Sequence, residues 1–175
     1  HIPATNAYTV RALADFGATR IWLSPELTLG QIQQIHEDAD VPLGLTVSGA
    51  AELMICEHCL LMSQGPCNRD CTSCPRRKSP HYFKDRKGFE LPIITDCTGR
   101  SHLFNAIPLD ILHAAPDLIA SGVTAFMVDT TMLNTEQPAA AVARAVRARN
   151  LAESGKGAVS KLPDTTTGHL FRAVQ

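Results

Sequence analysis

The chain has 175 residues, of which 45% are hydrophobic, 5% aromatic and 19% charged, and its formal net charge is −1. It is long enough to bury a core as one domain or a piece of one, and its charge balance gives no global pull toward nucleic acid or a membrane surface. No apolar run has the length of a membrane span and no segment has the pattern of a signal peptide, so the expectation is a cytoplasmic protein with no membrane partner.

In chain order, Thr5 is placed to cap a first helix through Tyr8, Leu13 and Phe16, which Gly17 stops. Arg20-Ile21-Trp22-Leu23 reads as a short buried strand ending at Ser24-Pro25. Thr28 can cap a second helix in which Leu29, Ile32 and Ile35 recur at helical spacing, and Leu43 to Val47 forms a second strand. This order of helix, strand, helix, strand argues for parallel α/β layering.

The periodicity breaks between Ser48 and Arg100. Within that stretch His81–Lys84 and Phe89–Thr95 flank Asp85-Arg86-Lys87-Gly88, the pattern of a β-hairpin. Periodic structure then resumes. Leu109–Ala120 reads as helical but divided by Pro116, Val123–Val128 as a strand, and Thr135 as the cap of a last helix with Pro138 near its start. From Ser154 to Gln175 the chain is rich in Gly and Thr and is expected to loop over a face. The expected organisation is a βα segment over 1–47, a cysteine-rich insert over 48–100, a second βα segment over 101–153 and a tail over 154–175. Three parallel strands with open edges suit a fragment of a longer α/β protein, the later half of a βα barrel. If the piece is stable alone, a homodimer through the open sheet edge is expected.

Five of the six cysteines, Cys56, Cys59, Cys67, Cys71 and Cys74, fall within nineteen residues, and Cys97 follows. The spacing is Cys-x2-Cys, seven residues, then Cys-x3-Cys-x2-Cys. Thiolates are soft ligands for zinc and iron–sulfur clusters, and closely spaced pairs aim two sulfurs at one point from a single turn. The pattern points to a metal or cluster rather than to a disulfide framework or unconnected buried thiols, without choosing the metal. Arg76, Arg77, Lys78, Lys84, Arg86 and Lys87, opposed only by Asp85, give Pro75–Gly88 a net charge of +5. Such a patch suits phosphate or an acidic substrate, or is simply a solvated loop beside an anionic cluster. The low aromatic content gives little support to a base-stacking platform.

Five ordered motifs carry a family resemblance: Ser24-Pro25-Glu26-Leu27, Glu57-His58-Cys59, Lys84-Asp85-Arg86-Lys87-Gly88, Arg100-Ser101-His102-Leu103-Phe104-Asn105 and Thr166-Thr167-Gly168-His169-Leu170-Phe171-Arg172. Together they resemble the C-terminal portion of the peptidase U32 (collagenase-like protease) family, over nearly the whole chain. The resemblance implies an α/β, TIM-barrel-like fold whose N-terminal half is missing here and is a partner of this piece, with a cysteine-rich insert and β-hairpin. It also implies two activities: the proteolysis of the family name, or oxygen-independent hydroxylation by relatives with a four-cysteine iron–sulfur cluster, acting on RNA or on ubiquinone precursors.

Many relatives have a cluster cysteine immediately before the Arg-Ser-His stretch, where this chain has Gly99, while Cys67-x3-Cys71-x2-Cys74 supplies one thiol more than is usual. The assigned metal ligands are therefore Cys59, Cys67, Cys71 and Cys74, with Cys97 and then Cys56 in reserve. The implied cofactor is a 4Fe-4S cluster, with zinc as a possible substitute. The Cys-x3-Cys-x2-Cys spacing also occurs in radical S-adenosylmethionine proteins, but there it follows a barrel's first strand.

No Gly-x-Ser-x-Gly or His-Glu-x-x-His motif is present, and a metal-bound thiolate makes a poor nucleophile, so the sequence offers a peptidase no recognisable machinery. A redox reading places His58, His102 and Arg100 near the cluster, with His102 as hydrogen-bond donor or proton shuttle, or else satisfied structurally within a strand. Glu26, at a strand end, is a fourth candidate catalytic residue, or a helix-capping charge. His169 and Arg172 are placed to close over an anionic substrate or to lie on the surface. A zinc-binding module without catalysis is the third reading.

Overall fold

The computed structural model describes residues 4–172. The chain divides into two compact units, one made of His1–Gly49 with Pro108–Gln175 and the other of Ala50–Ile107.

The first unit is mixed α/β. Helix α1 (Ala7–Asp15) starts at Asn6, whose side-chain oxygen accepts from the Thr9 N–H at 2.9 Å. Thr5, the expected cap, lies one residue too early. Strand β1 (Ile21–Trp22) follows, and then α2 (Leu29–Asp38), which opens with a reciprocal capping box between Thr28 and Gln31. This is the Thr28 cap read from the sequence, and its two bonds satisfy donors that a helix start otherwise leaves open. Strand β2 (Leu43–Gly49) pairs in parallel with β1.

The chain re-enters this unit at Pro108. Leu109–Asp110 was expected to be helical and instead forms a short strand antiparallel to Ser48 and Gly49 at the end of β2. A 3-10 turn and helix α3 (Ala115–Ala120) follow, with Pro116 in the first turn, where its missing N–H is no loss. Strand Val123–Val128 then pairs in parallel with β2 on its other edge. The last helix of the unit, α4 (Gln137–Glu153), begins beside Asn134 and not at Thr135. The Asn134 side chain accepts from the N–H groups of Glu136 and Gln137, and the Gln137 side chain accepts from the Asn134 N–H.

The core lies between these strands and their helices, where Val10, Ile32, Leu43, Val47, Leu112 and Leu118 are fully enclosed. A charged group is enclosed with them. Asp110 is 2% exposed and accepts from Arg144 Nε and Nη2, both at 3.3 Å. Arg144 also donates to the Ser160 carbonyl at 2.8 Å, tying the tail to α4. Among the described residues the strands do not close into a barrel, so the chain shows mixed α/β structure and the barrel remains an expectation.

The second unit is a four-stranded antiparallel sheet with two 3-10 turns. In chain order its strands are β3 (Glu52–Cys56), β4 (His81–Lys84), β5 (Glu90–Thr95) and β6 (Ser101–Phe104), and across the sheet they run β3-β6-β5-β4. The expected hairpin is β4–β5. Asp85 shapes its turn by accepting from the N–H groups of Lys87 and Phe89, and Gly88 supplies the positive φ that an L residue resists. The cysteine-bearing chain between β3 and β4 folds as loops and turns anchored on this sheet. Its Leu60 N–H donates to Ser101 Oγ at 2.9 Å, and Ser101 is 1% exposed.

Candidate cysteine-ligated metal centre

Cys56 ends β3, Cys59 caps the 3-10 turn Leu60–Gln64, and Cys74 caps the turn Pro75–Lys78. Cys67 and Cys71 lie on the loop between those turns, and all six thiols of the chain are free. Cys71 is the hub of the group. Desolvation raises its pKa above the ordinary thiol value, and repulsion from Cys59, Cys67 and Cys74 raises it further, against a smaller downward pull from Arg77. The three thiols that act on Cys71 are thus the other three assigned ligands. Among the described residues no group of three or more His, Cys, Asp or Glu side chains is gathered as a ready site for a metal ion.

Gly99 approaches the same sulfur. A Cβ built there would lie 2.9 Å from Cys71 Sγ, so that sulfur fills the space where a side chain at position 99 would begin. The loops also present backbone donors to sulfur. The Arg69 N–H donates to Cys67 Sγ at 3.3 Å, from a turn in which Arg69 takes a φ of 65°. The His58 N–H donates to Cys56 Sγ at 3.4 Å. Donors of this kind stabilise negative charge on sulfur.

Two residues of the basic patch prove to be struts. Arg76 donates through Nη1 to the carbonyls of Leu61 and Gly65, both at 3.2 Å, and through Nη2 to Pro66 at 3.0 Å. Arg77 donates through Nε to Thr95 and through Nη1 to Cys71, both carbonyls at 2.7 Å. Read in sequence these were patch charges; in the fold a planar fork of donors satisfies carbonyls that the irregular loops leave unpaired. His81 joins them through Gln64 and the Arg76 carbonyl. Of the remaining cations, Lys78 is exposed at the end of the turn Pro75–Lys78, and Lys84, Arg86 and Lys87 stay exposed on the hairpin beside exposed Tyr82, Phe83 and Phe89.

His102 sits on β6 between two carboxylates. Its Nδ1 is 2.5 Å from Glu52 Oε1 on β3, and its Nε2 is 3.6 Å from Asp96 Oδ2 in the β5–β6 turn. Hydrogen bonding to Glu52 raises its pKa, with a further push upward from Asp96 against opposing desolvation. Asp96 is held well below the ordinary carboxylate range, first by the Thr98 hydroxyl and then by the N–H groups of Arg100 and Thr98 and by His102. Arg100 donates to Asp96 at 3.1 Å and pairs with Glu57 at 3.9 Å. His102 and Arg100 therefore share one charged cluster. Glu52 and Asp96, its carboxylates, were not found from the sequence; the nearest signal was Asp96 opening the Asp-Cys-Thr-Gly turn before the Arg-Ser-His motif.

The other assigned residues stand apart from that cluster. His58 is exposed, and its bond to Cys56 is through the backbone. Glu26 belongs to the first unit, in the turn after β1, where its N–H donates to Ser24 Oγ at 3.3 Å; the cap of α2 is Thr28. His169 and Arg172 lie in the tail of the first unit beside buried Leu170. Among the described residues no Ser, Thr or Cys side chain is hydrogen-bonded to a histidine ring.

The features so far define a mixed α/β protein with a cysteine-rich antiparallel sheet unit. The family model for peptidase family U32 matches residues 1–167, and the chain belongs to that family. The last resemblance motif extends beyond the match, which ends at Thr167. No curated protein and no solved structure matches the chain. Among the described residues no helix is long and apolar enough to cross a membrane.

Proposed function

We propose that this chain carries the cluster-binding part of an iron–sulfur-dependent oxidoreductase of the U32 family, of the oxygen-independent hydroxylase type. The observation that carries the reading is the set of thiols around Cys71. Cys59, Cys67 and Cys74 each repel a charge on Cys71, and all four lie on or beside the loops that β3 and β4 anchor. Four thiolates are the donor set that an iron–sulfur cluster takes, and zinc takes the same set. Cys59, Cys67, Cys71 and Cys74 would hold a 4Fe-4S cluster, which supplies one-electron transfer when bound. The Arg77 charge and the N–H donor at Cys67 offset negative charge on the sulfurs and so favour the thiolate form. His102, set between Glu52 and Asp96, and Arg100 beside Asp96 are the residues of this unit proposed to serve the reaction.

For the substrate, the exposed Lys84, Arg86 and Lys87 beside exposed Tyr82, Phe83 and Phe89 favour RNA over a small quinone precursor, because they pair phosphate-binding charge with stacking faces. Low aromatic content overall hides this local concentration. In the first unit, among the described residues, strand Val123–Val128 pairs with β2 alone, and Tyr8 on α1, Phe16 just after it, and Val142 and Val146 on α4 are exposed. That edge and those side chains support the barrel-segment reading, completed by further βα units or by a second copy of the chain.

The deciding experiment is iron and acid-labile sulfide analysis of protein made and kept without oxygen, with its visible spectrum. About four of each per chain, with a brown band that bleaches on reduction, is expected, and Cys71→Ser should lose most of both. One zinc without sulfide would replace this reading with a structural zinc module. No bound metal would overturn the ligand assignment and return the peptidase description of the family to first place.

A further inference from the structure

We propose that Arg77 is the positioning residue of the cysteine centre: its guanidinium fixes the Cys71 loop to the end of β5 and supplies the positive charge that faces the thiolates. The inference rests on the cluster reading above. Its geometry stands independently. Cys71 lies on a loop with no ladder partner, and the loop's link to the sheet runs through one side chain, which donates Nη1 to the Cys71 carbonyl and Nε to the Thr95 carbonyl, both at 2.7 Å. Thr95 is itself enclosed, being 5% exposed, at the end of β5 and hydrogen-bonded to Ser101. Arg77 has a short lever as well. It lies in the turn that Cys74 caps, and its own N–H donates to the Cys74 carbonyl at 3.3 Å. One residue therefore touches the backbone of two assigned ligands and brings a permanent cation to them.

Arg77 differs in this from Arg76, whose fork braces Leu61, Gly65 and Pro66 and reaches no ligand carbonyl. Lysine cannot replace Arg77 fully. Its ammonium keeps the charge but lacks the planar fork that spans two carbonyls. The two parts of the role are separable for that reason.

The test compares wild type, Arg77→Gln and Arg77→Lys. Zinc alone, in competition with a chromophoric chelator, measures affinity; the midpoint potential of the anaerobically prepared protein measures the charge; amide exchange over residues 67–80 of metal-free protein measures the tether. Arg77→Gln should lose roughly 10–100-fold in zinc affinity, the range seen when a group orienting a ligand is removed. It should also shift the potential to more negative values and speed exchange in the loop. Arg77→Lys should keep the potential near wild type while its affinity and protection fall. A purely structural role would lower affinity in both variants without moving the potential in either. Wild-type affinity, potential and exchange in Arg77→Gln would overturn the proposal. If wild type binds neither zinc nor a cluster, the cluster reading fails, and unchanged exchange in Arg77→Gln would then refute the tether as well.

Discussion

Replacing Gly99 by alanine tests the location of the Cys71 sulfur. Gly99 has a φ of 89°, so a Cβ there meets backbone strain of about 1–3 kcal/mol. The new carbon would also lie 2.9 Å from Cys71 Sγ, and forcing an atom into such a contact costs about 1–3 kcal/mol. Gly88 is the natural control: its φ is 88°, but the nearest atom to its Cβ position is Lys84 Cε at 4.0 Å. Gly88→Ala therefore carries the strain without the collision. The expected outcome in urea unfolding is a loss of about 1–3 kcal/mol for Gly88→Ala and of about 2–6 kcal/mol for Gly99→Ala, the larger of the two. Metal content should fall only in Gly99→Ala, because only there must a ligand sulfur move. Equal stability losses in the two variants, with metal retained in both, would show that Cys71 does not hold its sulfur against position 99.

Three further outcomes follow from the described contacts. Arg144→Ala strands the Asp110 carboxylate at 2% exposure and should cost about 3 kcal/mol in thermal or urea unfolding; a loss below about 1 kcal/mol would mean that Asp110 is not buried as described. Thr28→Ala removes half of a capping box and should cost about 1 kcal/mol, with faster amide exchange confined to the first turn of α2. The His102 cluster gives a pH signature. A raised histidine pKa stabilises fully below the unfolded value of 6.5 and loses that contribution as pH climbs through the folded value. A depressed Asp96 pKa stabilises above the unfolded value of 3.8 and loses its contribution as pH falls toward the folded one. Stability should therefore be greatest between about pH 4 and 6.5 and decline at higher pH. His102→Gln should flatten the alkaline decline in thermal melts; an unaltered profile would exclude His102 as its source.

How far the sequence revealed the fold depended on the range of the interactions involved. The Thr28 cap was readable because both halves of the box lie within four residues. Before α1 and before α4 a threonine stands beside an asparagine, and short polar side chains bind free N–H groups almost equally well, so spacing could not choose Asn6 over Thr5 or Asn134 over Thr135. Leu109–Asp110 looked helical because its partners, Ser48, Gly49 and Thr166, are far away in sequence. The cysteine group was visible as a spacing, and the role of Gly99 was not, since it depends on two loops meeting. Arg76 and Arg77 were misread as patch charges for a related reason: the carbonyls they satisfy exist as open acceptors only once the loops have formed.

The contact between Gly99 and Cys71 links two positions that are twenty-eight residues apart in the chain. They share one volume, so a sulfur delivered from residue 71 and a side chain grown from residue 99 exclude each other. Whether the thiol comes from one loop or from the other, the space holds one. A side chain at position 99 is therefore expected to cost less where residue 71 is smaller than cysteine. A double variant, Cys71→Gly with Gly99→Cys, would bring a sulfur to the same space from the other loop, and position in space rather than in the chain is what the two residues share.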